Sequence, residues 1–265
     1  MNPTFLLGVG AQKAGTTWLH RALNRQPEVD MGFAKEYHVW DAKFSKICEN
    51  FRLSVLNSES GGRALRRLMQ QDEVIYCKYF RSLIRDGIFV TGDITPSYCC
   101  LKPKEFKHIK MLLEGVGFRV KVLFVMRDPV ERLWSAVRMG LPESESTCVE
   151  ELRSLAIERL HRSLGNSSTF ARSNYLSTIS SLDAVFESED ICYVFYESLF
   201  TDEVFHKISD FLGFEIRGVD FKESANPSVA LTLPDSDRTS LRKVLHEQYS
   251  GCAIRFPELV GLWAS

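Results

Sequence analysis

The chain contains 265 residues, of which 45% are hydrophobic, and this is enough apolar material for one sizeable core. Its 33 basic and 34 acidic residues nearly cancel, which argues against a general polyanion-binding or nucleic-acid-binding surface. The sequence has no apolar run of about eighteen residues that could span a membrane. We therefore predict one domain, residues 1–265, with neither a nucleic-acid partner nor a membrane span.

The first predicted elements are a buried strand at residues 5–9, a glycine turn and a helix at 15–25. Gly10 and Gly15 bracket the turn. Backbone N–H groups and the positive end of the helix dipole meet at such a junction and favour an anion. Lys13 adds a full positive charge, and the two threonines after Gly15 add hydroxyl donors. The sequence therefore predicts a phosphate-binding loop.

This loop reads G-x-x-K-x-G-T-T, and it differs from the nucleoside-triphosphate loop G-x-x-x-x-G-K-[ST]. In the latter the lysine follows the second glycine, and a hydroxyl group binds Mg²⁺. An ordinary strand-to-helix turn with a surface lysine is the alternative interpretation. The paired threonines, Thr16 and Thr17, and the strand before them favour the anion site.

Strand-like and helix-like segments alternate along the rest of the chain. This alternation predicts an α/β fold in which helices flank a central parallel sheet. Ligands bind such sheets outside the carboxyl ends of the strands. The further predicted strands lie at 74–79, 88–92, 120–126 and 191–195, and the further helices lie at 63–69, after Pro129, and at 173–186, 201–213 and 237–249. Irregular segments are expected at 41–62, 140–149 and 222–236, and the tail with Trp263 is expected to pack back on the sheet.

A second candidate anion site follows the strand at 120–126. The strand ends at Arg127 and Asp128, and Pro129 is suited to the first turn of a helix. Ser135 lies about two turns along that helix, so its hydroxyl group and Arg127 can face one ligand. Arginine with a hydroxyl group suits a phosphate. A salt-bridged Arg127–Asp128 pair with a solvated serine is the alternative.

Together the two motifs resemble those of the sulfotransferases that use 3′-phosphoadenosine 5′-phosphosulfate (PAPS). GAQKAGTTW (10–18) resembles the 5′-phosphosulfate loop of that family, and RDPVERLWS (127–135) resembles its 3′-phosphate motif, R-D-P-x-x-R-x-x-S. Three weaker matches follow in the family's order. KEYHVWD (35–41) and DITPSY (93–98) are similar to segments of the heparan-type carbohydrate enzymes, and residues 196–214 are similar to the family's Y-E-x-L stretch and the helix after it.

The resemblance implies a single catalytic domain with the P-loop-like, nucleotide-binding sulfotransferase fold. It also implies an enzyme that moves a sulfuryl group from PAPS to an acceptor hydroxyl and releases 3′-phosphoadenosine 5′-phosphate (PAP), with no metal. The acceptor is expected to be a carbohydrate, a lipid or a secondary metabolite, as a small molecule or an oligosaccharide. A P-loop kinase or nucleotide-binding regulatory protein is the alternative from another class, and a pseudoenzyme that only binds the nucleotide is a third possibility.

The resemblance assigns donor-binding roles to both motifs. Lys13 is expected beside the bridging oxygen, with Thr16 and Thr17 on the 5′-phosphate. Trp18 is expected to stack on adenine, although a core tryptophan is the alternative. The residues implied to hold the donor are Gln12, Lys13, Ala14, Gly15, Thr16, Thr17, Trp18, Arg127, Ser135 and Tyr175.

The proton acceptor is expected within residues 35–41, because a carboxylate in a dry cleft beside cations can act as a general base. By resemblance to the heparan-type enzymes, Glu36 is that base, and Lys35 and His38 orient it or touch the acceptor and donor. His38 is the rival base, since a histidine has this role in the cytosolic sulfotransferases. An ordinary polar surface turn is the third interpretation. Asp93 and Tyr98 are expected to support the cleft.

Two features of the heparan-type enzymes are missing from this sequence. Ile94 stands where the heparan-type enzymes usually have a lysine. Their basic glycine loop has no clear counterpart in 222–236, and the residues that could substitute for it are Lys222, Arg238 and Arg242.

The seven cysteines form no C-x-x-C pair, so we expect neither a zinc site nor a disulfide framework. The simplest inference is that the protein belongs to a reducing compartment. Because no signal, membrane anchor or stem is visible, we expect a cytoplasmic enzyme or a trimmed catalytic domain.

Overall fold

A four-stranded parallel sheet lies at the centre of this computed structural model, which describes residues 2–54, 61–141, 148–222 and 231–264. The spatial order of the strands is β2-β1-β3-β4. Every residue of β1 is buried, because β1 lies between two neighbours and beneath helices. The strands are β1 (Thr4–Gly10), β2 (Val90–Ile94), β3 (Arg119–Met126) and β4 (Ile191–Phe195).

Helices flank the sheet, as the alternation of segments predicts, and the result is an α/β domain. The α-helices of the described residues are α1 (Thr16–Asn24), α2 (Trp40–Phe44), α3 (Gly61–Gln71), α4 (Glu73–Leu83), α5 (Pro103–Gly115), α6 (Pro129–Arg138), α7 (Val149–Leu164), α8 (Ser167–Ala171), α9 (Tyr175–Asp183), α10 (Asp202–Leu212), α11 (Asp235–Val244), α12 (His246–Arg255) and α13 (Leu259–Leu262). Short 3₁₀ helices cover Lys46–Phe51, Pro96–Cys100, Ser188–Asp190 and Tyr196–Ser198.

The strand predicted at 74–79 is wrong, because this segment belongs to helix α4. Asp72 caps that helix by accepting a hydrogen bond from the Val74 N–H group. Tyr76 and Phe80 are buried one helical turn apart, a spacing that a six-residue apolar window is too short to reveal. The strand predicted at 88–92 exists, but it begins two residues later, as β2.

Most other predicted elements are confirmed, and the differences lie at their ends. The strands at 5–9, 120–126 and 191–195 and the helices at 15–25, 63–69, 173–186 and 201–213 are present with small shifts. The helix predicted at 237–249 is two helices, α11 and α12, which meet at Leu245. The segment at 41–62 contains α2 and a 3₁₀ helix, and parts of the three irregular segments lie outside the described residues.

Two apolar clusters form the core. The larger one joins the four strands to the helices around them, and it includes Trp263 of the tail, which packs on the rings of Tyr175 and Tyr249. The smaller cluster brings α6 and α7 together with residues 231–245, through side chains such as Trp134 and Leu241. The C-terminal helices therefore pack against the helix that begins at the second motif.

The seven cysteines are free thiols, and all except Cys100 and Cys148 are buried. The Sγ atoms of Cys99 and Cys100 are 3.8 Å apart.

Within the described ranges, none of the helices has the length and apolar character that crossing a bilayer requires.

Candidate functional site

The loop between β1 and α1 opens at the carboxyl edge of the sheet. Gly15 is the N-cap of α1 with φ of 78°, and a Cβ atom there would lie 2.7 Å from Leu199 Cδ2, so the position requires glycine. No side chain of the described residues caps this helix, and its first N–H groups are available to an anion. Lys13 also has a left-handed backbone, with φ of 70°.

The second motif meets this loop directly. Asp128 caps α6 by accepting hydrogen bonds from the N–H groups of Val130 and Glu131, which fixes the turn after β3. Arg127 Nη1 donates to the Lys13 carbonyl oxygen at 2.9 Å, and the guanidinium group lies 4.2 Å from the Tyr196 ring centre. The ends of β1 and β3 are therefore tied together at one point.

A cavity of about 590 Å³ opens where the two motifs meet. Among the described residues that line it, Glu36 is the only carboxylate, against five lysine and arginine side chains. Burial, and then the positive charges of Arg127 and Arg138, lower the pKa of Lys13. A bound anion would offset this repulsion and stabilise the charged form of Lys13. The five lysines and arginines are Lys13, Lys35, Arg127, Arg138 and Arg172.

His38 lies between two carboxylates on the cavity wall. Its Nδ1 atom is 2.7 Å from Asp41 Oδ2, and its Nε2 atom is 3.1 Å from Glu36 Oε2. The imidazole ring stacks on Phe51, with ring centres 3.7 Å apart. Burial alone would lower the pKa of His38, but the hydrogen bonds to Asp41 and Glu36 outweigh it and raise the pKa to about 9. This raised pKa favours the protonated, cationic form of His38 at neutral pH.

Glu36 is an ionised carboxylate with two cationic partners. Besides His38, the neighbouring Lys35 ammonium group donates a hydrogen bond to Oε1. Burial would raise the pKa of Glu36, but His38 and Lys35 together lower it to about 2. The carboxylate can accept a proton efficiently only after one of these partners moves away.

The sequence comparison with family models decides which family this site belongs to. The model described as "Sulfotransferase family" matches residues 3–217, a span that contains both motifs and the Glu36–His38 turn. The chain belongs to the sulfotransferase family.

Solved sulfotransferase structures share the fold. A sulfotransferase from Alicyclobacillus acidocaldarius aligns with 100% of this chain and 97% of its own, at 21% identity and a TM-score of 0.60. Two further sulfotransferase domains align less closely. The domain from the Synechococcus PCC 7002 olefin synthase has 16% identity and a TM-score of 0.47, and the alignment covers 92% of this chain and 95% of that domain. The domain from the curacin biosynthetic pathway has 16% identity and a TM-score of 0.43, and the alignment covers 84% of this chain and 78% of that domain. A search of curated proteins finds no significant match. The sulfotransferase fold is confirmed, whereas the heparan-type branch is not.

A buried polar network beneath the cavity holds the Glu36–His38 turn of this sulfotransferase. Asp93, at the carboxyl end of β2, accepts hydrogen bonds from the hydroxyl groups of Tyr76 (3.0 Å) and Tyr98 (2.7 Å). The Tyr37 N–H group, in the middle of the turn, donates to Thr95 Oγ1 at 3.1 Å. Burial raises the pKa of Asp93 to about 6. Asp93 and Tyr98 thus support the cleft from below and do not line it.

Most of the site residues predicted from the sequence line the cavity, but two do not. Ala14 and Tyr175 are both 0% exposed. The Ala14 N–H group donates within the turn to the Ala11 carbonyl, and the Tyr175 hydroxyl donates to the Arg127 carbonyl at 2.8 Å. The predicted residues on the lining are Gln12, Lys13, Gly15, Thr16, Thr17, Trp18, Glu36, His38, Arg127 and Ser135.

Trp18 borders the cavity but is also a core residue. It is 3% exposed, the rings of Phe200 and Phe205 pack edge-on against it, and its Nε1 atom donates to the Asp220 carbonyl. Little of the indole face is open, and stacking on adenine stays a prediction.

The substitutes considered for the basic glycine loop lie elsewhere. Arg238 pairs with Glu131 at 2.7 Å, and Arg242 pairs with Asp128 at 3.4 Å. Neither these arginines nor Lys222 lines the cavity.

Sequence reasoning missed three polar residues on the lining. Arg138 is three residues after Ser135 on α6, so the helical spacing could have revealed it. Ser97 lies in the DITPSY segment (93–98), whose resemblance assigns it no role, whereas Arg172 belongs to a segment that only the tertiary fold brings to the site. In the part of the chain that the structure describes, no group of three or more His, Cys, Asp or Glu side chains could hold a metal ion.

Proposed function

We propose that this sulfotransferase moves a sulfuryl group from PAPS to the hydroxyl group of a small-molecule or oligosaccharide acceptor and releases PAP. The cationic cavity carries this proposal, because it joins two phosphate-type sites at the ends of neighbouring strands. A donor with a phosphate at each end of a nucleoside suits two such sites. The proposed reaction uses no metal.

The donor would lie across the two motifs. The N–H groups of α1, with the hydroxyl groups of Thr16 and Thr17, would bind the 5′-phosphosulfate. Arg127 and Ser135 would bind the 3′-phosphate, and the Arg127–Lys13 contact sets the distance between the two sites. Trp18 would contact the adenine. Ala14 and Tyr175 would contribute without touching the donor: Ala14 through the hydrogen bond that shapes the loop, and Tyr175 through its hydrogen bond to the Arg127 carbonyl.

Transfer requires an acceptor proton to be removed and a leaving oxygen to be stabilised. The acceptor oxygen attacks sulfur as the bond from sulfur to the 5′-phosphate oxygen breaks, and negative charge grows on that bridging oxygen. Lys13 would stabilise this charge. Glu36 would accept the acceptor proton, and the charged His38, fixed by Asp41, would orient it.

Donor binding would also prepare Glu36 as a base. Lys35 lines the cavity beside Glu36, and a phosphosulfate group offers the Lys35 ammonium group a competing anion. When Lys35 turns to the donor, Glu36 loses one cationic partner and the pKa of its carboxyl group rises. The base would thus become effective when the donor is present.

Thermal unfolding with nucleotides tests the donor assignment. PAP should raise the Tm without Mg²⁺, whereas ATP with Mg²⁺ should not, and Arg127→Ala should remove most of the PAP effect. Stabilisation by ATP with Mg²⁺ alone would instead favour a P-loop kinase or a nucleotide-binding regulatory protein. A screen of hydroxyl acceptors with labelled PAPS then tests transfer, and PAP binding without any transfer would indicate a pseudoenzyme.

A further inference from the structure

Arg172 is a cavity cation on the side of Glu36 and His38. Its Nη2 atom donates to Cys48 Sγ at 3.6 Å, and Cys48 belongs to the 3₁₀ helix Lys46–Phe51. Phe51, at the other end of that helix, stacks on the His38 ring. One short element therefore contacts both Arg172 and the His38 imidazole, and this places Arg172 on the Glu36 side of the cavity.

The charge of Arg172 has no carboxylate partner among the described residues. Its side chain donates a hydrogen bond there to the Cys48 thiol, which is a weak acceptor. Arg132 is a second cation close enough to interact electrostatically with Arg172; it is 1% exposed, and its Nε atom donates to the hydroxyl group of Ser173 at 2.7 Å. By contrast, Arg238 and Arg242, which do not line the cavity, are paired with carboxylates. Because buried or half-buried charges are normally paired, this region lacks an anion that a ligand could supply.

The wall between Arg172 and Glu36 is partly apolar. Phe51 and Pro96 both line the cavity. Ser97, next to Pro96, donates a hydrogen bond to Asp41, the carboxylate that holds His38. Pro96 therefore lies close to the Glu36–His38 turn. A ligand that reaches from Glu36 to Arg172 would pass along this apolar surface.

We propose that Arg172 binds an anionic group of the acceptor, an inference that rests on the sulfotransferase function proposed above. The acceptor would be a small molecule with a hydroxyl group, an apolar body and one anionic group, either a carboxylate or a sulfonate. One guanidinium group suits one such anion, and the nearly neutral chain as a whole does not suit a polyanion.

The test compares three acceptors that share one apolar body: 4-(hydroxymethyl)benzoate, 4-(hydroxymethyl)benzenesulfonate and benzyl alcohol. With saturating PAPS and fixed ionic strength, kcat and KM are measured for the wild type, Arg172→Gln, Arg172→Lys and the surface control Arg162→Gln. The wild type and the control should prefer an anionic acceptor over benzyl alcohol by about tenfold or more in kcat/KM. Arg172→Gln should abolish the preference through KM, and Arg172→Lys should retain part of it. The ratio of benzoate to sulfonate identifies the anion.

PAP titration of the same samples separates this inference from the donor assignment. If Arg172→Gln weakens PAP binding, or lowers kcat/KM equally for all three acceptors, Arg172 does not recognise the acceptor. If the wild type turns over none of the three, calorimetric binding of the two anions to the PAP-loaded protein decides, and binding that does not depend on Arg172 overturns the inference. Failure of the wild type to bind PAP would instead overturn the proposed function.

Discussion

Lys13 combines an unfavourable charge environment with a strained backbone. Its ammonium group is half-buried, burial and neighbouring cations lower its pKa, and its φ of 70° lies in the left-handed region. Such costs are typical of groups placed for a ligand rather than for stability. The negative charge that grows on the bridging oxygen during transfer would relieve the charge repulsion where it is largest.

Lys13→Ala should nearly abolish transfer. The lost interaction is stronger in the transition state than in the ground state, so kcat should fall by about 100- to 1000-fold, or roughly 3–4 kcal/mol, while PAP affinity falls less. Steady-state kinetics with labelled PAPS and PAP titration measure the two effects. Turnover of Lys13→Ala at the wild-type rate would show that Lys13 does not stabilise the bridging oxygen.

Glu36→Gln distinguishes the two candidate bases. The amide keeps the shape of Glu36 but cannot accept a proton, so we expect kcat to fall at least about 100-fold with PAP affinity nearly unchanged. His38→Ala should cost less, because its raised pKa favours the protonated form at neutral pH and the role proposed for it is to orient Glu36. An active Glu36→Gln variant beside an inactive His38→Ala variant would make the histidine the base. If both variants stay active, the base lies elsewhere.

His38 should also make stability depend on pH. The folded state raises its pKa from 6.5 to about 9, so its stabilising contribution is complete below about pH 6.5 and is lost as pH rises through about 9. Converted to free energy, this is on the order of 3 kcal/mol. The unfolding free energy of the wild type should therefore fall between pH 6.5 and 9.5 more steeply than that of His38→Gln. Parallel curves would show that His38 is neutral in the folded protein.

At the scale of elements, the strand-to-helix junctions determine the geometry of the site. Gly15 has a φ of 78° and no room for a Cβ atom, whereas Gly117 has a φ of 88° with nothing within 4 Å. The two glycines thus share the same conformational requirement, and they differ in the space around them.

Gly15→Ala and Gly117→Ala form a matched pair. Both should lose about 1–2 kcal/mol of unfolding free energy from left-handed strain. Gly15→Ala should lose at least about 1 kcal/mol more, because its Cβ atom collides with Leu199, and it alone should weaken PAP binding. Denaturant unfolding and PAP titration measure these effects. Equal losses, with PAP binding intact in both variants, would contradict the close packing of the loop.

The elements that the sequence predicts well are those with local signals. Parallel strands buried on both faces are continuous apolar runs, so β1, β3 and β4 are evident. The apolar segment at 74–79 is equally continuous, but only the tertiary structure determines that it forms α4. The same limit applies to the site: the two motif loops are local in sequence, whereas Arg172 reaches the cavity through long-range packing against the Lys46–Phe51 helix.

At the scale of the whole molecule, the C-terminal segment supports the second motif. The family match ends at residue 217, yet residues 231–264 pack on α6 and the main core. The Trp263 indole donates to Glu197 at 3.1 Å, and Glu197 in turn accepts a hydrogen bond from the Asp128 N–H group at 2.8 Å. Trp263 also packs on Tyr175, whose hydroxyl group holds the Arg127 carbonyl.

Trp263→Ala should therefore affect both stability and donor binding. Removing a tryptophan that is 3% exposed should cost about 3–5 kcal/mol of unfolding free energy. PAP affinity should fall as well, because Arg127 and Asp128 lose their support. Trp263→Phe keeps the ring contacts but removes the N–H donor to Glu197, so it should cost only about 1–2 kcal/mol and weaken PAP binding less. If Trp263→Ala is destabilised but binds PAP like the wild type under conditions where it is fully folded, the tail stabilises the fold without positioning the donor site.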